Sequence, residues 1–213
     1  MNGSLGLPEK IILLHGLRVN RLVMSYLACS LRRLEFAADT WSFPSFHRTL
    51  TENVKLLDAR LESEPGHRIA IVAHNYGAVV ALRYLQAHPD PRIQRMVLLG
   101  APLTGSTAGM QIQRHGWGRW FAGASGRVWI DGPNVSVPAG VQVGGIAGTG
   151  RLGLGRIFAR FTAANDGVVL VDETHLPGLA DHLIMPVAHS VMLISPAVAR
   201  QVDHFLRHGA FMR

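Results

Sequence analysis

A sharp turn, an acid and a histidine fall in one order along this chain. The stretch "IAIVAHNYGAVVAL", residues 69–82, carries an apolar strand-like run into His74-Asn75-Tyr76-Gly77 and on into an apolar helical run. A strand meeting a helix at so tight a turn projects one side chain, here Asn75, into an open site. The usual pattern for such an elbow is Gly-x-Ser-x-Gly; here it reads Ala73-His74-Asn75-Tyr76-Gly77, with asparagine where a serine nucleophile would stand. The acid follows in "NDG", residues 165–167, and the histidine in "PVAHS", residues 186–190. A base that takes a proton from a nucleophile, and an acid that orients the base, is the chemistry of acyl transfer. Asp166 is favoured as the acid because it directly follows a strand-like run; Asp172 and Asp181 are its rivals, and the turn-forming habit of Asn-Asp-Gly is its structural alternative.

These residues need elements to hold them. Strand-like runs ("KIILLHG", "FAADTWSFPS", "HRIAIVAH", "RIQRMVLLGAP", "GVQVGGIAG", "DHLIMPV") alternate with helical ones: Asn20 to Leu34, His47 to Leu61, Tyr76 to Ala87 and Pro196 to His208. Near-continuous apolar strands alternating with helices predict an α/β fold, a mostly parallel sheet with helices on both faces. In such sheets the site lies at the carboxyl ends of the strands, where "LLHGL" (13–17), the elbow and "NDG" all fall. No linker separates domains, so residues 1–213 read as one domain. The Gly/Trp/Arg-rich stretch of about 103–138 reads as a small cap insertion over the site.

Together these stretches resemble the α/β-hydrolase superfamily, and more narrowly its compact bacterial serine esterase/lipase-like members. The resemblance runs almost end to end: "HGL", "AHNYGAVVALRYL", "VLLGAPLTGS", "NDGVVLVDETHLPG" and "PVAHSVMLISPAVARQVDHFLRHG". It implies an acyl-ester hydrolase working through an acyl-enzyme, with Asn75, Asp166 and His189 as the catalytic frame and no metal or cofactor. The backbone N–H groups of Tyr76 and Leu17 would form the oxyanion hole. His15 would order the oxyanion loop, and His74 would be a packed or hydrogen-bonded neighbour.

Asparagine suits the elbow's backbone, because among non-glycine residues it tolerates positive φ well. It does not suit the chemistry, because a carboxamide has no ionisable nucleophile for His189 to activate. Ser25, Ser106 and Ser190 occupy no elbow. Three readings follow: a serine-esterase frame silenced at its nucleophile, by nature or by engineering; a non-catalytic pseudo-hydrolase that binds a ligand or partner; or a hydrolase that uses Asn75 after deamidation or to orient a water.

The remaining features bound the class. The 213 residues are 48% hydrophobic and 16% charged, enough for one substantial core. The single cysteine, Cys29, excludes an intrachain disulfide and reads as a small buried hydrophobe. No apolar run approaches the ~18 residues of a membrane span, and the N-terminal run is too short for a signal peptide, so a cytoplasmic protein is expected. The net charge of +7 is scattered and comes without a nucleic-acid motif. The expected partner is a small ester or lipid-like substrate, met by cap aromatics Trp117, Trp120 and Phe121, with Trp129 and Arg114, Arg119 and Arg127 interleaved. "GTGRLG" (148–153) spells a dinucleotide fingerprint but lies late in the chain and leaves little room for a crossover helix. His204 and His208, at i and i+4, lack a third metal ligand in sequence.

Overall fold

The computed structural model describes residues 6–113, 123–130, 132–150 and 163–213. The strand-like runs form β1 (Lys10–Leu14), β2 (Ala38–Trp41), β3 (Ile69–His74), β4 (Ile93–Leu99), β5 (Gln142–Gly148) and β6 (Asp181–Met185). Every pairing in this sheet is parallel, in the order β2-β1-β3-β4-β5-β6. The helices are α1 (Ser25–Arg33), α2 (Leu50–Glu62), α3 (Tyr76–Ala87), α4 (Thr107–Gln113), the short α5 (Arg127–Ile130) and α6 (Pro196–His208).

The period-two alternation of a strand sorts the apolar residues into two cores. Ile12 and Leu14 face one side with Leu57 of α2 and Val79 and Val80 of α3. Ile11 and Leu13 face the other with Leu27 and Leu31 of α1 and Val202 and Phe205 of α6. The strand order explains the division. β1 is flanked by β2 on one side and β3 on the other, so the chain reverses its direction across the sheet after β2. Right-handed crossovers running in opposite directions lay their helices on opposite faces, which separates α1 from α2. The reversal also opens a crevice outside the carboxyl ends of β1 and β3.

Local chemistry fixes the helix ends. Thr49 and Glu52 form a reciprocal capping box at the start of α2. α6 begins with a Ser195 cap and Pro196 and ends at Gly209 in the left-handed region, φ 76°. The helical run predicted from Asn20 is divided into a 3-10 turn, Arg21–Met24, capped by Asn20, and α1 proper, on which Cys29 is exposed and not buried as expected, because Leu27, Ala28 and Leu31 form the inward face. Among the described residues no helix is long and apolar enough to cross a membrane.

Part of the expected cap is packed into the domain. Ser125 Oγ donates to the backbone carbonyls of Ser45 (2.5 Å) and Arg48 (2.8 Å). Trp129, grouped with the cap aromatics from sequence, is buried in the α2/α3 core, edge-on to Tyr76 at 6.0 Å. It therefore contributes packing to that core. Trp117, Trp120, Phe121, Arg114 and Arg119 lie outside the described residues, as does the Arg127 side chain.

Phe205 seats α6 directly on β5: a Cβ at Gly144 would lie 2.5 Å from its ring, so only glycine admits it. Phe205→Ala should cost about 3–5 kcal/mol, read as a lowered denaturant midpoint at constant m-value. A loss near zero would show that this contact does not hold the second core together.

Candidate active site

The elbow forms where β3 meets α3. Asn75 takes φ 51° and ψ −121°, and its N–H donates to the Leu99 carbonyl at 3.0 Å. That φ/ψ pair lies outside the left-handed α region that asparagine commonly visits, so the surrounding packing must hold this residue in place. The turn is tight because the loop after β1 lies on top of it. A Cβ at Gly77 would lie 2.6 Å from the His15 carbonyl oxygen, and one at Gly16 would lie 3.1 Å from Asn75 Cβ. Glycine at both positions lets the His15-Gly16-Leu17 backbone come down beside Asn75.

The structure brings Asn75, Asp166 and His189 together. His189 Nδ1 donates to Asp166 Oδ2 at 2.7 Å, and Asn75 Nδ2 donates to His189 Nε2 at 2.9 Å. Asp166 leaves Nε2 with its lone pair turned toward the elbow, the tautomer a general base requires. The acid itself is almost fully buried, and its other oxygen accepts the N–H groups of Val168 (2.9 Å) and Val169 (2.8 Å). Asp166 is thus both turn former and partner of the histidine. The rival acids are engaged elsewhere: Asp172 is exposed, and Asp181 binds Arg213 and the Phe211 N–H at the chain's end.

The second carboxamide atom of Asn75 also has a partner. Its Oδ1 accepts the Tyr76 N–H at 2.7 Å and so caps α3. The side chain therefore spans the space between the histidine and one of the two expected oxyanion donors. Leu17, the other, sits half-buried beside it, and no hydrogen bond among the described residues uses its N–H.

The two neighbouring histidines are neutral for the same reason, burial. His15 is fully buried; its Nδ1 donates to the Gly16 carbonyl (2.8 Å) and its Nε2 accepts the Phe43 N–H (3.2 Å), which ties down the loop after β1. Burial pushes its pKa below the ordinary histidine range. His74 is pushed well below that range by burial and then by the adjacent His189, against a smaller opposing pull from the His189 backbone. Its ring lies 4.4 Å from that of His189, and neither ring nitrogen makes a hydrogen bond of normal geometry. It is a packed neighbour and not a hydrogen-bonded one.

Several contributors were not legible from motifs. Gly100, at φ 51°, backs the histidine–acid pair: a Cβ there would lie 3.0 Å from both Asp166 Oδ2 and His189 Nδ1. Its place at the end of β4, before Ala-Pro, was the available signal. Buried Glu173 accepts the N–H groups of Leu170 (3.0 Å) and Thr107 (2.5 Å), joining the acid's loop to the start of α4. The start of "GTGRLG" serves the same region, since a Cβ at Gly148 would lie 2.8 Å from Asp166 Cβ; from Arg151 onward the motif lies outside the described residues. His204 and His208 lie tilted against each other on α6, ring centroids 4.4 Å apart, and His204 Nδ1 donates to the Ala210 carbonyl. Among the described residues no group of three metal-ligating side chains converges.

The buried histidines give a pH dependence of determined sign. With folded pKa values depressed, the unfolded chain takes up protons that the folded chain refuses. Stability is therefore fully present above the unfolded histidine pKa of about 6.5 and is lost as pH falls from there toward the depressed values. Urea midpoints should drop between pH 7.5 and 5, and His74→Leu should flatten that drop. An equal drop in the variant would show that His74 is not held neutral.

Comparison with known proteins places this geometry. Residues 36–137 match a family model described as alpha/beta hydrolase. The mature lipase BlEst2 of Bacillus licheniformis superposes with a TM-score of 0.73 at 16% identity, over 96% of this chain and 93% of that one. The metagenomic carboxyl esterase MGS0156 gives 0.65 at 18%, over 88% and 66%. Carboxylesterase CesB of Bacillus subtilis gives 0.60 at 14%, over 93% and 84%. No curated protein sequence matches the chain. With its parallel sheet, its sharp elbow after β3 and its histidine after β6, the chain has the α/β-hydrolase fold.

Proposed function

We propose that this chain carries the frame of a serine esterase or lipase, built for acyl-ester hydrolysis through an acyl-enzyme and strongly impaired because Asn75 holds the nucleophile's position. The observation that carries the reading is the hydrogen-bonded line Asn75 Nδ2–His189 Nε2–His189 Nδ1–Asp166 Oδ2, with spacings of 2.9 and 2.7 Å. With a serine in place of Asn75, His189 would take the hydroxyl proton as oxygen attacks the ester carbonyl, then return it to the leaving alcohol. Asp166 would stabilise the imidazolium, and the N–H groups of Tyr76 and Leu17 would receive the oxyanion. A water activated by the same histidine would release the acid. The chemistry is proton and acyl transfer, so the reading requires no metal or cofactor, and the substrate is a small ester or lipid-like molecule.

An amide nitrogen has its lone pair delocalised into the carbonyl and does not attack esters. In a serine protease, loss of the nucleophile costs on the order of 10⁶ in turnover. The carboxamide also holds the Tyr76 N–H, so a ligand carbonyl must displace Asn75 Oδ1 to reach it. That weighs against a purely ligand-binding role that depends on this donor.

The test is Asn75→Ser beside the unaltered chain, on short- and medium-chain p-nitrophenyl esters, with intact mass after incubation. The serine variant should turn over at least ~10³-fold faster and carry an acyl adduct. Turnover by the unaltered chain, accompanied by a mass gain of about 1 Da from deamidation to an attacking carboxylate, would establish Asn75 as functional. If neither protein turns over, a binding role becomes the better account.

A further inference from the structure

We propose that the end of the molecule beside the elbow carries a docking surface for an anionic lipid bilayer, built from residues 19–26 and the 3-10 turn Val191–Ile194. The inference goes beyond the esterase reading and does not rest on it. Burial sorts the apolar residues of these two segments into two sets. Met24, Leu27, Met192 and Leu193 are buried in the second core, and the turn Val191–Ile194 lies against α1. The other large apolar residues of the same segments face water: Leu22 is 70% exposed, Ile194 is 56% exposed, and Val19, Tyr26 and Val191 are exposed with them.

Single exposed apolar side chains are ordinary, whereas a concentration of them marks an interaction surface. Five of the nine large apolar side chains exposed among the described residues fall in these two short, mutually packed segments. Both segments begin near the carboxyl end of the sheet, one after β1 and one after β6, and Val191 follows His189 by two residues. Docking through them turns the elbow end of the molecule toward the partner.

Charge selects the partner. Residues 15–34 and 186–202 contain arginine but no aspartate or glutamate. Arg21 directly precedes Leu22, and Arg200 lies on α6, which packs on α1; both are exposed, and neither forms an ion pair among the described residues. Apolar side chains flanked by cations fit the boundary of an anionic bilayer: the apolar groups enter the acyl region while the guanidinium groups meet lipid phosphates. The net charge of +7 adds attraction at longer range. A second copy of the chain fits less well, because a two-fold contact through this surface would bring Arg21 and Arg200 toward their own copies with no carboxylate in the patch to offset them.

The test is flotation of the unaltered chain with vesicles of phosphatidylcholine alone and of equimolar phosphatidylcholine and phosphatidylglycerol. The chain should float with the anionic vesicles and much less with the neutral ones, and added salt should weaken the binding. The double variants Leu22→Ser/Ile194→Ser and Arg21→Gln/Arg200→Gln should each weaken it roughly tenfold or more, with thermal midpoints unchanged because all four side chains are exposed. Two controls at exposed positions elsewhere, Ile184→Ser on β6 and Lys55→Gln on α2, should bind as the unaltered chain does. Failure to bind anionic vesicles, equal binding to neutral ones, or equal weakening by the control variants overturns the proposal. Light scattering without vesicles tests the other occupant: a dimer that Leu22→Ser/Ile194→Ser dissociates, in a chain that does not float, assigns the surface to a second copy and also overturns it. The readout needs no turnover, so its outcome is separate from whether Asn75→Ser restores hydrolysis.

Discussion

The turn at Asn75 is the constraint on which the rest of the site depends. One residue at φ 51° lets β3 stop and α3 start without an intervening loop. That economy fixes three things together. It places the α3 N-terminus against the crevice, aims the side chain at position 75 toward His189, and obliges the loop after β1 to pass within contact of the elbow. Gly16 and Gly77 exist where they do because two backbones approach there with no room for a Cβ. The fold remains intact with asparagine at this position.

The polar groups of the site are stabilised mainly by backbone. Asp166 is nearly fully buried, yet its two oxygens accept two main-chain N–H groups and one imidazole N–H. A buried carboxylate needs such donors to remain charged. His15 is satisfied by a carbonyl and an N–H from two different loops, which makes a neutral imidazole serve as a bracket between the loops that follow β1 and β2. His74 has no such partners and contributes by shape, filling the space beside His189 at a cost of about 1–3 kcal/mol for unpaired polar atoms. Removing its polarity and removing its volume are therefore opposing changes.

The legible part of this structure was the part written in local pattern. The apolar runs of β1, β3, β4 and β5, the helix from Tyr76 to Ala87 and the helix from Pro196 to His208 follow from periodicity and end signals, and the elbow follows from its turn chemistry. Asp166 and His189 were legible because each directly follows a strand-like run and the order matches a reaction. The rest depends on distance in space. Trp129 looked like a cap aromatic because its neighbours are tryptophan and arginine, but tertiary packing places it in the core against Tyr76. Gly100 and Glu173 carry no motif, and their roles emerge only when β4, the acid's loop and the start of α4 converge.

The central claim is that a complete acyl-transfer frame surrounds an unreactive residue. The most direct measurement is a crystal structure of the Asn75→Ser variant treated with an alkyl fluorophosphonate, which captures the tetrahedral geometry of an acyl-transfer intermediate. The account predicts one covalent adduct, on the introduced serine, with its phosphoryl oxygen within hydrogen-bond distance of the Tyr76 and Leu17 N–H groups and His189 still bonded to Asp166. An introduced serine that stays unreacted, or an adduct whose phosphoryl oxygen points away from both donors, would contradict it.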